Sequence, residues 1–378
     1  MTLKNSKTMN YKPIKVIISG GGTGGHIFPA ISIAAKIREL SPDSEILFVG
    51  AKGRMEMDKV PAAGFKIKGL PVSGLQRKIC ADNLLVPFKL LRSIRMARRM
   101  ISDLKPDIAI GVGGYASAPL LFAAQSKGIP TLIQEQNGFA GLTNRLLGRK
   151  AKCICVAFEG MEKFFPKERI VLTGNPIRRE IVDVPTLDRA EACRFYNLDP
   201  SRKIIFLMGG SLGAGTLNRA VMKWIEGGMK GGENLELLWQ CGRYYKKSVE
   251  KFMEDRDLPG VHPLDFLFKM DYAYAAADLV ISRAGASSVS ELCAAAKPVI
   301  FVPSPNVAED HQTHNAMALV NKGAAEIVRD DEAVEKLFAL AAGLVKDERK
   351  LSEMKKNIAA LALPDAAETI VKEVYKLI

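Results

Sequence analysis

The sequence predicts an α/β protein of two doubly wound, Rossmann-like domains. Its 378 residues correspond to two domains at roughly 100 to 200 residues each. Short apolar runs alternate with helical patterns along the chain, which favours parallel sheets built from strand-helix-strand units. A strand, a glycine loop and a helix also recur, once at residues 14–26 and again at residues 203–218. Their first loop glycines, Gly20 and Gly209, are 189 positions apart, half of the chain.

Nine apolar runs are predicted as buried strands. They are residues 14–19, 45–49, 108–112, 131–135 and 153–157 in the first half, and residues 203–208, 236–240, 279–282 and 299–302 in the second. Gly174-Asn175-Pro176 breaks the pattern. We therefore predict a polar tail at 1–12, an N-terminal domain at 13–176 and a C-terminal domain at 177–378, whose last helix packs back on the N-terminal domain. Such domains bind ligands at the carboxyl ends of their strands, so we expect the two to face each other across a binding cleft.

Composition and charge exclude several classes of protein. The chain is 48% hydrophobic and 25% charged, which excludes disordered, collagen-like and small disulfide-rich proteins. Up to Arg178 there are 28 basic and 12 acidic residues, a charge of +16; after it there are 26 and 29, a charge of −3. A basic first half indicates a large anionic partner, either nucleic acid or an acidic membrane surface.

The cysteines and the hydropathy indicate the compartment. The six cysteines form no CxxC pair and no charged-then-apolar leader precedes the first residues, so we expect a reduced, cytoplasmic setting. No apolar run approaches the roughly 20 residues that span a bilayer. Any membrane contact is therefore expected to be peripheral.

The first glycine loop, residues 20–25, satisfies G-x-G-x-x-G between a strand and a helix. Such a loop approaches a phosphate, and the helix N-terminus stabilises its charge. A dinucleotide site also needs an acidic residue after the second strand, but residues 46–52 (ILFVGAK) contain none. Because Lys52 and Arg54 would suit a 2′-phosphate, an NADP-binding domain remains an alternative.

His26 directly follows this loop, at the mouth of the predicted helix. An imidazole there suits a general base near neutral pH. The alternative is that His26 only caps the helix or binds a phosphate.

Two junctions in the second half suit a nucleotide. The second glycine loop, residues 209–213 (GGSLG), offers backbone amides and the Ser211 hydroxyl at a helix start, which favours phosphate binding; turn formation alone is the alternative. Residues 282–291 (SRAGASSVSE) form another strand-to-helix junction. Glu291, one turn inside that helix, is placed to accept both hydroxyls of a ribose, although a helix dipole alone also favours glutamate there.

The segment 83–104 predicts an amphipathic helix with two apolar faces. The predicted core stripe is Val86, Leu90, Ile94, Ala97, Ile101 and Leu104. The opposite face combines Leu84, Phe88 and Leu91 with Lys89, Arg92, Arg95 and Arg99. Apolar side chains interleaved with cations favour an anionic lipid surface over nucleic acid, for which no motif is present. The alternative is that these apolar residues pack beneath a neighbouring loop.

Seven motifs together resemble one enzyme family. They are residues 20–29 (GGGTGGHIFP), 111–119 (GVGGYASAP), 135–144 (EQNGFAGLTN), 173–178 (TGNPIR), 209–218 (GGSLGAGTLN), 283–291 (RAGASSVSE) and 309–316 (EDHQTHNA). In this order they resemble the MurG family, the bacterial UDP-N-acetylglucosamine:undecaprenyl-diphospho-muramoyl-pentapeptide transferases. The resemblance runs from about Lys15 to the C-terminal helix and implies a GT-B glycosyltransferase fold.

The resemblance implies transfer of N-acetylglucosamine (GlcNAc) from UDP-GlcNAc to the C4 hydroxyl of undecaprenyl-diphospho-MurNAc-pentapeptide (lipid I), with inversion, to form lipid II for peptidoglycan synthesis. It implies His26 as base with Glu135 as its orienting partner. The resemblance also implies substrate-binding residues in both halves. Near the sugar it implies Thr23, Gly24, Gly25 and Asn137, with Gln312 at the sugar hydroxyls. Near the nucleotide it implies Arg178 and Ser211 at the diphosphate or nucleotide, Leu267 against uracil, and Ala286, Ser287, Ser288, Val289, Ser290 and Glu291 at diphosphate and ribose. Some relatives have paired glutamines where this chain has His311-Gln312, so the contact is assigned to Gln312 alone.

No metal or other cofactor is expected, because helix N-termini, loop amides and Arg178 can stabilise the leaving UDP. Asp255-Arg256-Asp257 spells a D-x-D motif, but its charged surroundings predict a solvated loop. We expect a peripheral protein on the cytoplasmic side of the inner membrane, with the anionic inner leaflet and other cell-wall synthesis proteins as partners and no nucleic acid. The competing hypotheses are a UDP-GlcNAc 2-epimerase, an NADP-dependent oxidoreductase and an inactive scaffold.

Overall fold

The computed structural model describes residues 11–73, 86–210 and 212–378. These residues form two compact units, each built around its own parallel sheet. The first unit runs to Gln136 and includes Ala140–Pro176 and Asp365–Ile378, and the second comprises Asn137–Phe139 and Ile177–Pro364. The predicted limits, 13–176 and 177–378, differ from these units in two segments, residues 137–139 and residues 365–378.

The first unit contains a seven-stranded sheet. Its strands are β1 (Lys15–Ser19), β2 (Glu45–Ala51), β3 (Lys66–Leu70), β4 (Ile108–Gly111), β5 (Thr131–Glu135), β6 (Cys153–Val156) and β7 (Ile170–Leu172). Its helices up to β7 are α1 (Gly24–Leu40), α2 (Glu56–Ala62), α3 (Val86–Leu104), α4 (Ser117–Ser126) and α5 (Leu142–Gly148). The strand order is β3-β2-β1-β4-β5-β6-β7, with every pair parallel. This is the doubly wound arrangement, in which ligands bind beyond the carboxyl ends of the strands.

The second unit repeats this plan with six strands. They are β8 (Lys203–Met208), β9 (Leu235–Gln240), β10 (Val261–Leu264), β11 (Leu279–Ser282), β12 (Val299–Phe301) and β13 (Glu326–Ile327). Its helices are α6 (Arg179–Val182), α7 (Arg189–Phe195), α8 (Gly215–Glu226), α9 (Lys246–Met253), α10 (Met270–Ala276), α11 (Ala286–Ala294), α12 (His311–Val320), α13 (Ala333–Leu344) and α14 (Glu348–Ala359). The strand order is β10-β9-β8-β11-β12-β13, again all parallel.

The last helix, α15 (Ala366–Lys376), packs in the first unit. Ile370, Val371 and Val374 are fully buried in the same apolar cluster as Ile33 and Ile37 of α1. Burying side chains of this kind stabilises a fold by about 1.5 to 3 kcal/mol each. The C-terminal segment is therefore part of the core of the first unit.

All nine predicted strands are present, and the described residues contain four more. The additional strands, β3, β7, β10 and β13, are the outermost strand at each edge of the two sheets. Edge strands are shorter or partly exposed, so they lack the continuous apolar run by which the interior strands were recognised. Lys66–Leu70, for example, reads KIKGL, and its positions alternate between exposed and half-buried up to the buried Leu70.

Candidate active site

The first glycine loop connects β1 to α1 at the carboxyl edge of the first sheet. Gly22 has φ of +91°, a left-handed conformation that glycine adopts without strain. Thr23 precedes the helix, and its carbonyl accepts hydrogen bonds from the amides of His26 and Ile27 at 3.1 and 3.2 Å. The loop thus places Thr23, Gly24 and Gly25 where helix amides point outward.

His26 is half-buried in the first turn of α1. Its Nδ1 lies 3.0 Å from the hydroxyl oxygen of Thr23. A Cβ atom on Gly113, in the loop after β4, would lie only 2.7 Å from Cδ2 of the imidazole. Only glycine at position 113 therefore lets that loop approach the ring, and the imidazole is held between Gly113 and Thr23.

Glu135 ends β5 and is 2% exposed. One carboxylate oxygen, Oε2, accepts hydrogen bonds from Nδ2 of Asn144 at 2.9 Å and from the amide of Gly141 at 3.2 Å. A buried carboxylate needs such donors. The same Nδ2 of Asn144 lies 3.5 Å from where a Cβ on Gly113 would stand, beside the position of His26. The structure thus adds Asn144 to this region; the orienting role of Glu135 stays a prediction.

Asn137 belongs by its contacts to the second unit. Its side-chain oxygen accepts a hydrogen bond from Nδ2 of Asn315 at 3.2 Å, and the amide of Gly138 donates to Oδ1 of Asn315 at 2.8 Å. Asn315 is fully buried in α12. The same helix carries Gln312, so one of the residues predicted to contact the sugar lies on α12 and another is hydrogen-bonded to it.

Arg178 and Glu291, predicted separately for diphosphate and ribose, form an ion pair in the second unit. Nε and Nη2 of Arg178 both lie 3.1 Å from Oε1 of Glu291. The other oxygen, Oε2, accepts from the hydroxyl of Tyr274 at 3.4 Å. Burial, and then the charge of Glu291, raise the pKa of Tyr274 well above its usual value, so this hydroxyl stays protonated and donates. Sequence reasoning missed Tyr274, because neither it nor the segment around it, MDYAYAA, matches a recognised motif.

A cavity of about 700 Å³ opens at the carboxyl edge of the second sheet. It is lined by the second glycine loop, by Ser288 of α11 and by Gln312, and also by two arginines that the sequence analysis did not assign, Arg219 and Arg283. Oε1 of Gln312 accepts from the amide of Ser304 at 2.9 Å. Ser211, predicted for the phosphate, lies outside the described residues. Asp330 also lines this cavity and pairs with Arg283, so Arg219 and the helix N-termini are the groups that suit an anionic ligand.

Helix α11 presents its N-terminus at the end of β11. Gly285 is its N-cap, and Ala286, Ser287, Ser288 and Ser290 are half-buried. Val289 and Leu267 are 1% and 3% exposed. A contact from either of these two to a nucleotide would therefore use mainly the backbone.

Helix α3 carries the residues predicted to contact a membrane. Phe88 and Leu91 are 71% and 55% exposed; the arginines at 92, 95 and 99 are exposed, and Lys89 is half-buried. Leu84 lies outside the described residues. Among the described helices, none is long and apolar enough to cross a bilayer.

One part of the predicted core face of α3 is wrong. Leu90 is 36% exposed instead of buried. The buried residues begin only at Ser93 and continue with Ala97, Met100, Ile101 and Leu104. Leu90 therefore lies on the exposed apolar surface of the first turns of α3, together with Phe88 and Leu91.

The D-x-D sequence lies in an exposed part of the second unit. Asp255, Arg256 and Asp257 are exposed in the turn that follows α9. Their positions agree with the predicted solvated loop.

The comparisons with known proteins agree on one family. The N-terminal domain of glycosyltransferase family 28 matches residues 16–156, and its C-terminal domain matches residues 204–370. The UDP-N-acetylglucosamine–N-acetylmuramyl-(pentapeptide) pyrophosphoryl-undecaprenol N-acetylglucosamine transferase of Parabacteroides distasonis is 54% identical over 365 residues, 96% of this chain and 98% of the relative. The enzyme of the same name from Bacteroides fragilis is 52% identical and covers 100% and 99%.

A crystal structure of MurG from Acinetobacter baumannii matches 96% of this chain and all of that chain, with a TM-score of 0.79 and 30% identity. These matches confirm the predicted GT-B fold and the enzyme class. The chain therefore belongs to the MurG family of N-acetylglucosamine transferases, within glycosyltransferase family 28.

Proposed function

We propose that this chain transfers GlcNAc from UDP-GlcNAc to the C4 hydroxyl of undecaprenyl-diphospho-MurNAc-pentapeptide, with inversion of the anomeric carbon. The observation that carries the proposal is the arrangement of Arg178, Glu291 and Tyr274 beside the N-terminus of α11. The names of relatives that are more than half identical over nearly the whole chain support the same activity.

In the proposed donor site, Glu291 accepts the ribose hydroxyls and the diphosphate lies at the N-terminus of α11. Arg178 holds one oxygen of this carboxylate and Tyr274 the other, so its orientation is set before substrate binds. When UDP leaves with the electron pair of the broken bond to C1, helix amides and Arg178 stabilise its negative charge. We propose that this occurs without a metal ion.

The acceptor hydroxyl needs a base, and we assign that role to His26. Nδ1 contacts the hydroxyl of Thr23, and we propose that Nε2 takes the proton as the new bond to the anomeric carbon forms. Histidine is the side chain that most often serves as a general base. We also propose that the sugar of the donor contacts Gly24, Gly25, Asn137 and Gln312.

The proposed activity is tested with UDP-GlcNAc and a soluble lipid I analogue. We expect UDP release only when the acceptor is present, in step with formation of a β-1,4-linked disaccharide. Conversion of UDP-GlcNAc to its C2 epimer without an acceptor would support the epimerase hypothesis instead. If folded protein binds UDP-GlcNAc but catalyses neither reaction, the result would support the hypothesis of an inactive scaffold.

We further propose that the exposed face of α3 binds the anionic inner leaflet of the cytoplasmic membrane. Phe88 and Leu91 would enter the lipid, and the arginines would face the headgroups. Each cation near such a surface contributes about 1 kcal/mol. Reversing Arg92, Arg95 and Arg99 to glutamate should therefore weaken co-sedimentation with anionic vesicles by roughly 100-fold or more, while binding to neutral vesicles stays weak.

A matched control makes the same change of charge in the second unit. Helix α14 carries three exposed cations, Arg349, Lys355 and Lys356. Their reversal to glutamate should leave vesicle binding within about twofold of the parent. Equal losses in the two triple variants would show that net charge, not the α3 face, governs binding.

A further inference from the structure

A buried carboxylate lies directly beneath the first glycine loop. Glu56, the first residue of α2, is 0% exposed. Its Oε1 accepts a hydrogen bond from the amide of Ala51 at 3.0 Å, and its Oε2 accepts one from the amide of Gly22 at 3.2 Å. One side chain thus connects the end of β2 to the loop that follows β1.

Two glycines provide the space for this carboxylate. A Cβ atom on Gly21 would lie 2.3 Å from Oε1 of Glu56, and one on Gly50 would lie 2.6 Å from its Cγ. Both distances are far shorter than any van der Waals contact. Residues 21 and 50 therefore need to be glycine while Glu56 occupies this position.

The opposite side of the loop is equally close-packed. A Cβ atom on Gly114 would lie 2.2 Å from the carbonyl oxygen of Gly21, and one on Gly22 would lie 3.2 Å from the ring of Tyr115. The loop is thus held between Glu56 and the segment after β4. The residue after Gly22 is Thr23, whose hydroxyl contacts Nδ1 of His26.

The Glu56 carboxylate is held by hydrogen bonds from the backbone and not by an ion pair with a described residue. In the described part of the chain, no lysine, arginine or histidine nitrogen lies within 4.0 Å of its carboxylate, and its hydrogen bonds come from backbone amides. A buried charge is costly unless it is satisfied in this way. Its contacts are thus directed at the backbone, and one of them fixes the residue next to Thr23.

We propose that Glu56 is a positioning residue for the transfer reaction: it fixes the first glycine loop and, through Gly22 and Thr23, the orientation of His26. The inference rests on the proposed function, in which His26 is the base. A misplacement of about 1 Å at a reacting group costs on the order of 100-fold in rate. A small change at Glu56 should therefore appear in catalysis before it appears in folding.

The test is Glu56→Gln, which keeps the shape of the side chain but leaves only one oxygen to accept two amide hydrogens. We expect kcat to fall at least tenfold at saturating donor and acceptor. The Kd of UDP-GlcNAc should change less than kcat, because the proposed ribose and diphosphate ligands lie in the second unit and only the sugar meets the first loop. The control is Asp58→Asn, which removes a charge from an exposed position of the same helix and should leave kcat within twofold.

The pH profile separates a positioning role from a merely structural one. If Glu56 orients the base, the acidic limb of kcat/KM moves in Glu56→Gln and stays in place in Asp58→Asn. An unchanged profile together with kcat within twofold of the parent would overturn the inference. Because this comparison needs an active parent, inactivity of the parent itself would count against the proposed function instead.

A second pair of variants tests the contact itself. Gly21→Ala should lower kcat as Glu56→Gln does, because the new methyl group meets the carboxylate, and it serves as the test if Glu56→Gln does not fold. In a Glu56→Ala background the same methyl group has space, so Gly21→Ala should add less than twofold. Additive losses in the double variant would show that the two residues act independently and would contradict the inference.

Discussion

The two glycine loops look alike in sequence but differ in what surrounds them. Each follows an interior strand, β1 or β8, and precedes a helix. The first loop rests on the Glu56 carboxylate and leads to His26. The second packs on backbone, since a Cβ on Gly213 would lie 2.1 Å from the carbonyl oxygen of Cys241.

The charges beside the two loops also differ. The cavity next to the second loop is lined by Arg219 and by the ion pair of Arg283 with Asp330, so its lining keeps a net positive charge. The first loop has the Glu56 carboxylate beneath it. Cations favour a phosphate, and a loop fixed by a carboxylate and followed by an imidazole favours proton transfer. The comparison indicates that a shared glycine pattern describes backbone geometry, while the neighbouring side chains decide the chemistry.

The largest expected effect is a loss of kcat from a change beside the first loop. His26→Ala removes the proposed base, so kcat should fall by roughly 10²- to 10⁴-fold, the usual contribution of general base catalysis. Binding of UDP-GlcNAc, measured by calorimetry, should stay within about twofold. Near-normal turnover would remove His26 as the base and leave it a helix-capping role.

The next largest effect is expected on the binding of UDP-GlcNAc by the second unit. Glu291→Gln replaces a charged acceptor by a neutral one, and hydrogen bonds to charged groups contribute about 1.5 to 3 kcal/mol, or roughly 10- to 100-fold. The Kd of UDP-GlcNAc should rise by that factor, and the preference over the 2′-deoxyribose analogue should shrink. Glu353→Gln, at an exposed position of α14, should change neither quantity. Unchanged affinity in Glu291→Gln would assign Glu291 to the helix dipole alone.

The smallest effect concerns Tyr274. Tyr274→Phe removes one hydroxyl from Oε2 of Glu291 and keeps the ring contact with Phe206. A net loss of about 1 kcal/mol corresponds to roughly fivefold weaker binding of UDP-GlcNAc. The 2′-deoxyribose analogue should lose less affinity than the parent ligand. Equal losses for the two ligands would show that Tyr274 supports the fold and not the position of Glu291.

The interior of each sheet was predictable from the sequence, and its edges were not. Strands such as β8 are apolar along nearly their whole length because helices cover both faces. β13 has only two residues, Glu326 and Ile327, which no periodicity could reveal. Leu90 was assigned to the wrong face because an apolar stripe does not show how far along a helix the packing extends.

The candidate site shows the same limit. His26, Arg178 and Glu291 lie in recognisable motifs. Glu56 and Tyr274 do not, because their roles depend on contacts across the fold: Glu56 reaches Gly22 over 34 positions and Tyr274 reaches Glu291 over 17. Only the three-dimensional structure brings such pairs together.

The central claim is that the first loop carries the base and that the second unit binds the nucleotide of the donor. It is tested most directly by measuring kcat and the Kd of UDP-GlcNAc for His26→Ala and Glu291→Gln beside the parent enzyme. The account predicts a crossed result, with kcat lost and Kd kept in His26→Ala, and Kd raised with kcat at saturation largely kept in Glu291→Gln. Both variants losing the same parameter would contradict it.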